Sequence, residues 1–156
     1  MNLKTPMFFA LLFLAFTLLQ CTTSKKHSHK ASASTAMKDK VFTIENCVNS
    51  FDEDKAIPTK VGYQYWFADK EFLDGRTLKM SVVAPHKSTH APHTHSEDEF
   101  FFILEGEAEF HLDGKTQTGG QYTSFYCPAN SFHGITNIGD TELKYLVIKK
   151  YDLEKK

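Results

Sequence analysis

His93, His95 and Glu99 stand in a His-x-His-x3-Glu pattern within the stretch Pro92-His93-Thr94-His95-Ser96-Glu97-Asp98-Glu99-Phe100 of a 156-residue chain. In an extended backbone alternate side chains share a face, so His93, His95, Glu97 and Glu99 point one way. Two imidazoles and a carboxylate converging on one side of a sheet make most of a coordination shell for a divalent metal. A fourth donor has to come from elsewhere, and His133 is the best-placed candidate. A strand ends at Pro128, a turn follows through Ala129-Asn130, and an antiparallel return carries His133 back towards His93 and His95. Standing alone His133 would read as a part-exposed turn histidine; beside three other donors it reads as a ligand.

The elements that must position these residues read as strand after strand. Residues 41–45 alternate apolar and polar. Residues 49–60 are polar and acidic with Pro58 and read as loop, and residues 62–68 are dense in aromatics (Tyr63, Tyr65, Trp66, Phe67). Those rings could wall a pocket, although aromatics at strand spacing are more often plain core. Leu73-Asp74-Gly75-Arg76 is a turn, residues 77–84 are a strand, and residues 86–92 are a loop ending in proline. Residues 100–104 continue the strand that carries Glu99. With Glu99 inward, Phe101 and Ile103 face inward and Phe100, Phe102 and Leu104 outward. A strand apolar on both faces in an antiparallel fold needs a cover outside, either a second sheet from the N-terminal strands or a second subunit, and a homodimer is favoured. Residues 107–112 alternate cleanly, Asp113-Gly114 signals a hairpin to residues 115–118, and Gly119-Gly120 breaks the chain. Residues 122–127, 134–137 and 143–150 complete the series. No helix of convincing length follows the N-terminal stretch, so the fold class is all-β, a sandwich or barrel.

The N-terminus is of another kind. Lys4 precedes an apolar run over residues 7–19 that is too short to span a bilayer and fits the core of an export signal. Cys21 follows Leu18-Leu19-Gln20, an arrangement that resembles a bacterial lipoprotein signal, in which the cysteine becomes the lipid-bearing first residue. Gln20 departs from the small residue usual there, and an ordinary secreted protein or an uncleaved anchor is the alternative. Residues 1–20 are therefore expected to be a signal peptide and residues 21–40, rich in Ser, Thr, Ala, Lys and His, a solvated tether. His27 and His29 repeat the His-x-His spacing there without a following carboxylate and are expected to be exposed. The expected location is periplasmic or outer-membrane-associated, with membrane contact only through the N-terminus.

Residues 41–156 are one domain by length. Removing residues 1–20 takes Lys4 and no acid from 18 basic and 19 acidic side chains, which leaves near balance. That excludes the basic footprint of a nucleic-acid binder. Cys47 and Cys127 are far apart in sequence, and only geometry decides whether they pair. Cys127 precedes the turn before His133 and is either a cavity residue or a small buried hydrophobe.

Together these residues resemble the cupin superfamily. Its first motif is Gly-x5-His-x-His-x3/4-Glu-x6-Gly, met here by His93, His95, Glu99 and Gly106, with Lys87 in place of the leading glycine. Its second is Gly-x5-Pro-x-Gly-x2-His-x3-Asn, met by Pro128, His133 and Asn137. Asn130 replaces the internal glycine and tolerates the left-handed conformation such a turn needs. Gly120 stands two residues too far from Pro128, which implies a longer strand or a bulge. The resemblance covers roughly residues 77–150 and implies a jelly-roll barrel with one divalent metal on His93, His95, Glu99 and His133. The donor set does not choose among Mn, Fe, Co, Ni and Zn. The expected function is a metal-dependent enzyme acting on a small polar metabolite (a sugar, uronate or keto acid) by isomerase, lyase or hydrolytic chemistry. A metal-dependent dioxygenase and a non-catalytic small-molecule binding module are the alternatives. No catalytic acid or base is assigned. Glu97, His90 and His111 are the candidates, each with a solvated side chain as its plainer reading.

Overall fold

The computed structural model describes residues 40–153. The expected signal peptide, Cys21, His27, His29 and all of the tether except Lys40 lie outside them. Among the described residues the chain forms nine strands: β1 (Ile57–Thr59), β2 (Gly62–Leu73), β3 (Arg76–Val83), β4 (Glu99–Glu105), β5 (Ala108–Leu112), β6 (Lys115–Gly119), β7 (Ser124–Cys127), β8 (His133–Asn137) and β9 (Leu143–Lys150). They pair antiparallel into a six-stranded sheet, β1-β2-β3-β9-β4-β7, and a three-stranded sheet, β6-β5-β8. No described helix is long and apolar enough to cross a membrane.

Two hairpins follow from local chemistry. Asp74-Gly75 and Asp113-Gly114 all take positive φ (51°, 79°, 47° and 80°). A two-residue loop left-handed at both positions matches the twist of its strands, and Asp-Gly is among the pairs that adopt it readily. The β4–β5 turn has a stricter demand. Gly106 sits at φ 88°, and a Cβ there would lie 2.7 Å from the carbonyl oxygen of Glu142, so no larger residue fits.

The main core lies between the two sheets. Val83, Phe101, Ile103, Cys127, Leu143, Tyr145 and Val147 from the large sheet meet Ala108, Phe110 and Ile135 from the small one. Parity on β4 is as the sequence implies: Glu99, Phe101 and Ile103 are buried and Phe100 is exposed. Leu104 packs on a second apolar layer on the outer face, around Tyr65, Met80 and Val82. An N-terminal segment covers part of that face without forming a sheet there. Phe51 packs edge-on against Tyr65 at 5.0 Å, and the Tyr65 hydroxyl donates to the Ser50 carbonyl at 2.9 Å.

Several segments differ from the expectation. Residues 41–45 are not a strand. A short helix, α1 (Ile44–Cys47), forms instead, and the Asn46 amide accepts from the Thr43 N–H at 3.0 Å and donates to the Val41 carbonyl at 3.0 Å. With no neighbouring strand to pair with, these local bonds decide the backbone. The expected loop of residues 49–60 contains a 3₁₀ turn (Glu53–Lys55) and β1, whose Pro58 is tolerated because β1 is an edge strand. β2 runs on to Leu73 through two register shifts. β7 begins only at Ser124, because Tyr122 takes a left-handed φ of 65° that a strand cannot use.

Candidate metal centre

Segment 93–99 keeps its alternation while bending. His93, His95, Glu97 and Glu99 are each less exposed than Thr94, Ser96 and Asp98, although only Glu99 belongs to a continuous ladder. His93 is held by an isolated bridge to His133, each N–H donating to the other's carbonyl at 2.9 Å. The Asn130 N–H donates to the His95 carbonyl at 2.8 Å. Asn130 has φ 63°, the left-handed turn conformation expected where a glycine would otherwise stand. These three backbone bonds bring the loop before β4 against the turn before β8. The structure thus gathers the four expected donors from two segments.

The ligand atoms of His93, His95 and His133 lie within 4.8 Å of one another, as do those of Glu99, Cys127 and His133. His133 is fully buried, and its Nε2 is 3.0 Å from Glu99 Oε1; His95 Nε2 is 3.4 Å from the same oxygen. On the far side of each ring, His95 Nδ1 donates to the Glu97 carbonyl at 2.8 Å and His133 Nδ1 to the Ser131 carbonyl at 3.0 Å. Carbonyls only accept, so both rings carry their proton on Nδ1. In the neutral form each Nε2 then turns a lone pair towards a carboxylate oxygen, an arrangement that a cation between them relieves. Locking the tautomer through the distal nitrogen is also how metal-binding histidines are oriented. His93 Nδ1 is buried with no hydrogen-bond partner. Burial and the neighbouring His90, His133 and His95 rings hold His93 below its ordinary value, against the opposing charge of Glu99, which favours the neutral imidazole a metal needs. These residues fit a divalent transition metal, and either donor group can chelate a single ion.

A cavity of about 340 Å³ opens on this cluster, lined by His90, His93, His95 and Glu99 among others. Of the three acid–base candidates, His90 is on its wall, with its ring 4.3 Å from that of His93. Glu97 borders the site, its carboxylate 3.7 Å from His95 Nδ1 and 3.9 Å from Lys149 Nζ. His111 does not join them. It lies on β5 on the face away from the core, where it pairs with Glu109 at 3.1 Å. The aromatic run of β2 does not wall this cavity as a block: Tyr65 is buried in the outer apolar layer, with Phe67 against it at 4.9 Å.

Two cationic residues of the cavity escape the sequence reading, Lys79 and Lys149. Their signal was inward parity: Lys79 alternates with Ser81 and Val83, and Lys149 with Leu143, Tyr145 and Val147. A lysine in an apolar strand reads by default as its solvent side.

Cys127 is fully buried opposite Glu99 in the β4–β7 ladder, and both it and the exposed Cys47 are free thiols. Burial, and secondarily the Glu99 charge, pushes the Cys127 thiol up to about 12, with Lys149 opposing. Because the thiolate is the reactive form, native protein treated with iodoacetamide at about pH 8 is expected to label at Cys47 and to label at Cys127 only after unfolding. Peptide mass spectrometry reads the outcome, and equal labelling of both in the native state would contradict the buried placement.

The family model for the cupin domain matches residues 79–149. Among solved structures, the chain is similar to a predicted oxalate decarboxylase from Thermotoga maritima, with 25% identity over 58% of this chain and 80% of the other and a TM-score of 0.54. It is also similar to the polyketide cyclase RemF from Streptomyces resistomycificus, with 20% identity over 67% and 80% and a TM-score of 0.57. A Cupin 2 conserved barrel domain protein from Salinispora arenicola aligns at 19% identity over 74% and 92% with a TM-score of 0.56. No curated protein matches. Two antiparallel sheets around the histidine cluster, the matched domain model and these structural likenesses agree: the described domain has the fold of the cupin superfamily.

Proposed function

We propose that this chain is a metal-dependent cupin enzyme acting on a small polar metabolite by isomerase, lyase or hydrolytic chemistry, with His93, His95, Glu99 and His133 holding one divalent transition metal. One observation carries the reading: two histidines, each held through Nδ1 by a backbone carbonyl, aim their Nε2 atoms at a buried carboxylate beside a cavity. When bound, a divalent ion there supplies Lewis-acid polarisation of a substrate oxygen. The chain's own residues do the rest. The Glu97 and Ser131 carbonyls fix the two rings, buried Phe101 and Val147 exclude water from one wall, and His90 is the imidazole placed to exchange a proton with a bound molecule. The likeness to a predicted oxalate decarboxylase supports the lyase branch. A metal-dependent dioxygenase is the second reading, favoured by the apolar side chains of Phe101, Ile135 and Val147 in the same cavity.

In the same reading residues 1–20 are a signal peptide, Cys21 carries lipid, residues 21–40 tether the domain, and residues 41–156 close as a jelly-roll barrel in the periplasm or at the outer membrane. Ile148, Phe100 and Tyr126 form a row across β9, β4 and β7 at 42%, 45% and 46% exposure, which supports a homodimer through that face. Elemental analysis of the purified full chain, followed by incubation with sugars, uronates and keto acids under NMR detection, tests the enzyme reading. About one metal per chain and metal-dependent conversion of a member of the panel are expected. A fully loaded chain that binds members of the panel and converts none of them is a binding module instead.

A further inference from the structure

Lys79 and Lys149 give the cavity a second chemistry. They project from adjacent strands on the same inward face, since Lys149 pairs with Thr77 and Lys79 with Val147 in the β3–β9 ladder. Lys149 is only 9% exposed, and a buried ammonium needs close negative partners. Those it has are distant: Nζ stands 3.9 Å from Glu97 Oε2 and 3.9 Å from Glu99 Oε2, at the outer limit of an ion pair. The Lys79 ammonium lies 5.2 Å from the centre of the Trp66 ring. Burial first, and then the charge of Lys149, hold Lys79 below its ordinary value, against the opposing Glu99. Beside them Ser81, Thr89 and Tyr145 also line the cavity, which makes that part of the wall polar.

We propose that Lys79 and Lys149 form an anion subsite for one carboxylate of a small dicarboxylate substrate, whose other end carries a 2-oxo or 2-hydroxy acid group and faces the histidine cluster. Charge sets the class. Two ammonium groups and a divalent ion face the carboxylates of Glu97 and Glu99 among the described residues, an excess of two positive charges over that pair that a dianion cancels. Size agrees, because about 340 Å³ is near the lower end for small-molecule sites and suits a short acid. The chelating end rests on the metal centre proposed above; the lysine end stands on its own residues.

Titration calorimetry on the full chain in detergent tests the proposal, with manganese as the metal, malate as the dicarboxylate and lactate as its monocarboxylate counterpart. The manganese-loaded chain is expected to bind malate about tenfold or more tightly than lactate. Lys79→Met is expected to abolish that preference with metal content and melting temperature unchanged, and Lys79→Arg to restore part of it. Lys79→Gln repeats the test should Lys79→Met fold poorly. Metal-free chain is expected to bind succinate weakly and to lose it in Lys79→Met. Equal affinity for malate and lactate at full metal content, or a preference that survives Lys79→Met, overturns the subsite. A chain that takes up none of manganese, iron, cobalt, nickel and zinc defeats the metal-centre reading instead. Succinate on the metal-free chain then decides: binding lost in Lys79→Met upholds the lysine subsite, and no binding overturns it.

Discussion

Replacing His133 by alanine is expected to strip the protein of its metal and to lower its stability by about 3 kcal/mol. Both effects have one origin. His133 is fully buried, belongs to both donor groups and stands 3.0 Å from Glu99 Oε1. Its removal breaks the three-histidine set and the Glu99-Cys127-His133 set together, so neither can substitute for the other. Loss of metal affinity should exceed about a hundredfold, the upper end of what a ligand's supporting partner alone contributes. The stability loss combines an unfilled cavity with a carboxylate, 7% exposed, that has lost its nearest partner. Metal analysis beside a denaturant melt separates the two. Retention of full metal content at unchanged affinity would show that His133 is not a ligand.

Asn137→Ala is expected to do the reverse, destabilising the fold by about 2–3 kcal/mol while about one metal per chain remains. Asn137 is 1% exposed and touches none of the four donors in its hydrogen bonding. Its amide donates to the carbonyls of Val83 (3.0 Å), Ala84 (3.1 Å) and Thr141 (2.8 Å), and its oxygen accepts from the Gly139 N–H at 2.9 Å. One side chain thereby satisfies backbone groups at the end of β3 and in the turn leading to β9, and alanine leaves them unpaired in the interior. Asn137→Asp should be no better, because a carboxylate cannot donate to three carbonyls. A drop in the thermal midpoint of on the order of 10 °C with metal content intact is the expected signature. Loss of metal at unchanged stability would move Asn137 from the scaffold into the site.

Much of this candidate site is legible in the sequence. The His93, His95 and Glu99 set needed only the two-residue period of an extended chain, a property of the backbone itself. Asn130 could stand where a turn demands a left-handed residue because its short polar side chain permits it. The paired Asp-Gly turns and the inward face of Phe101 and Ile103 were equally local. Residues 41–45 misled for the same reason. Alternation there is real, but a strand exists only with a neighbour to pair with, and Asn46 bonds the local backbone instead.

Tertiary structure alone decided the rest. Which strand lies beside which is set by ladders between segments far apart in the chain: β3 against β9, and the His93–His133 bridge across 40 positions. Only that pairing placed Lys79 beside Lys149 and faced both towards Glu99 and the cavity. It also set Cys127 within reach of Glu99 and His133 and sent Tyr65 and Phe67 to the outer apolar layer. The sequence by itself determined which side chains share a face of one strand, since that follows from backbone geometry. What those faces look at depends on long-range pairing, whose loop-closure cost is offset only by the assembled core, and no local pattern records it.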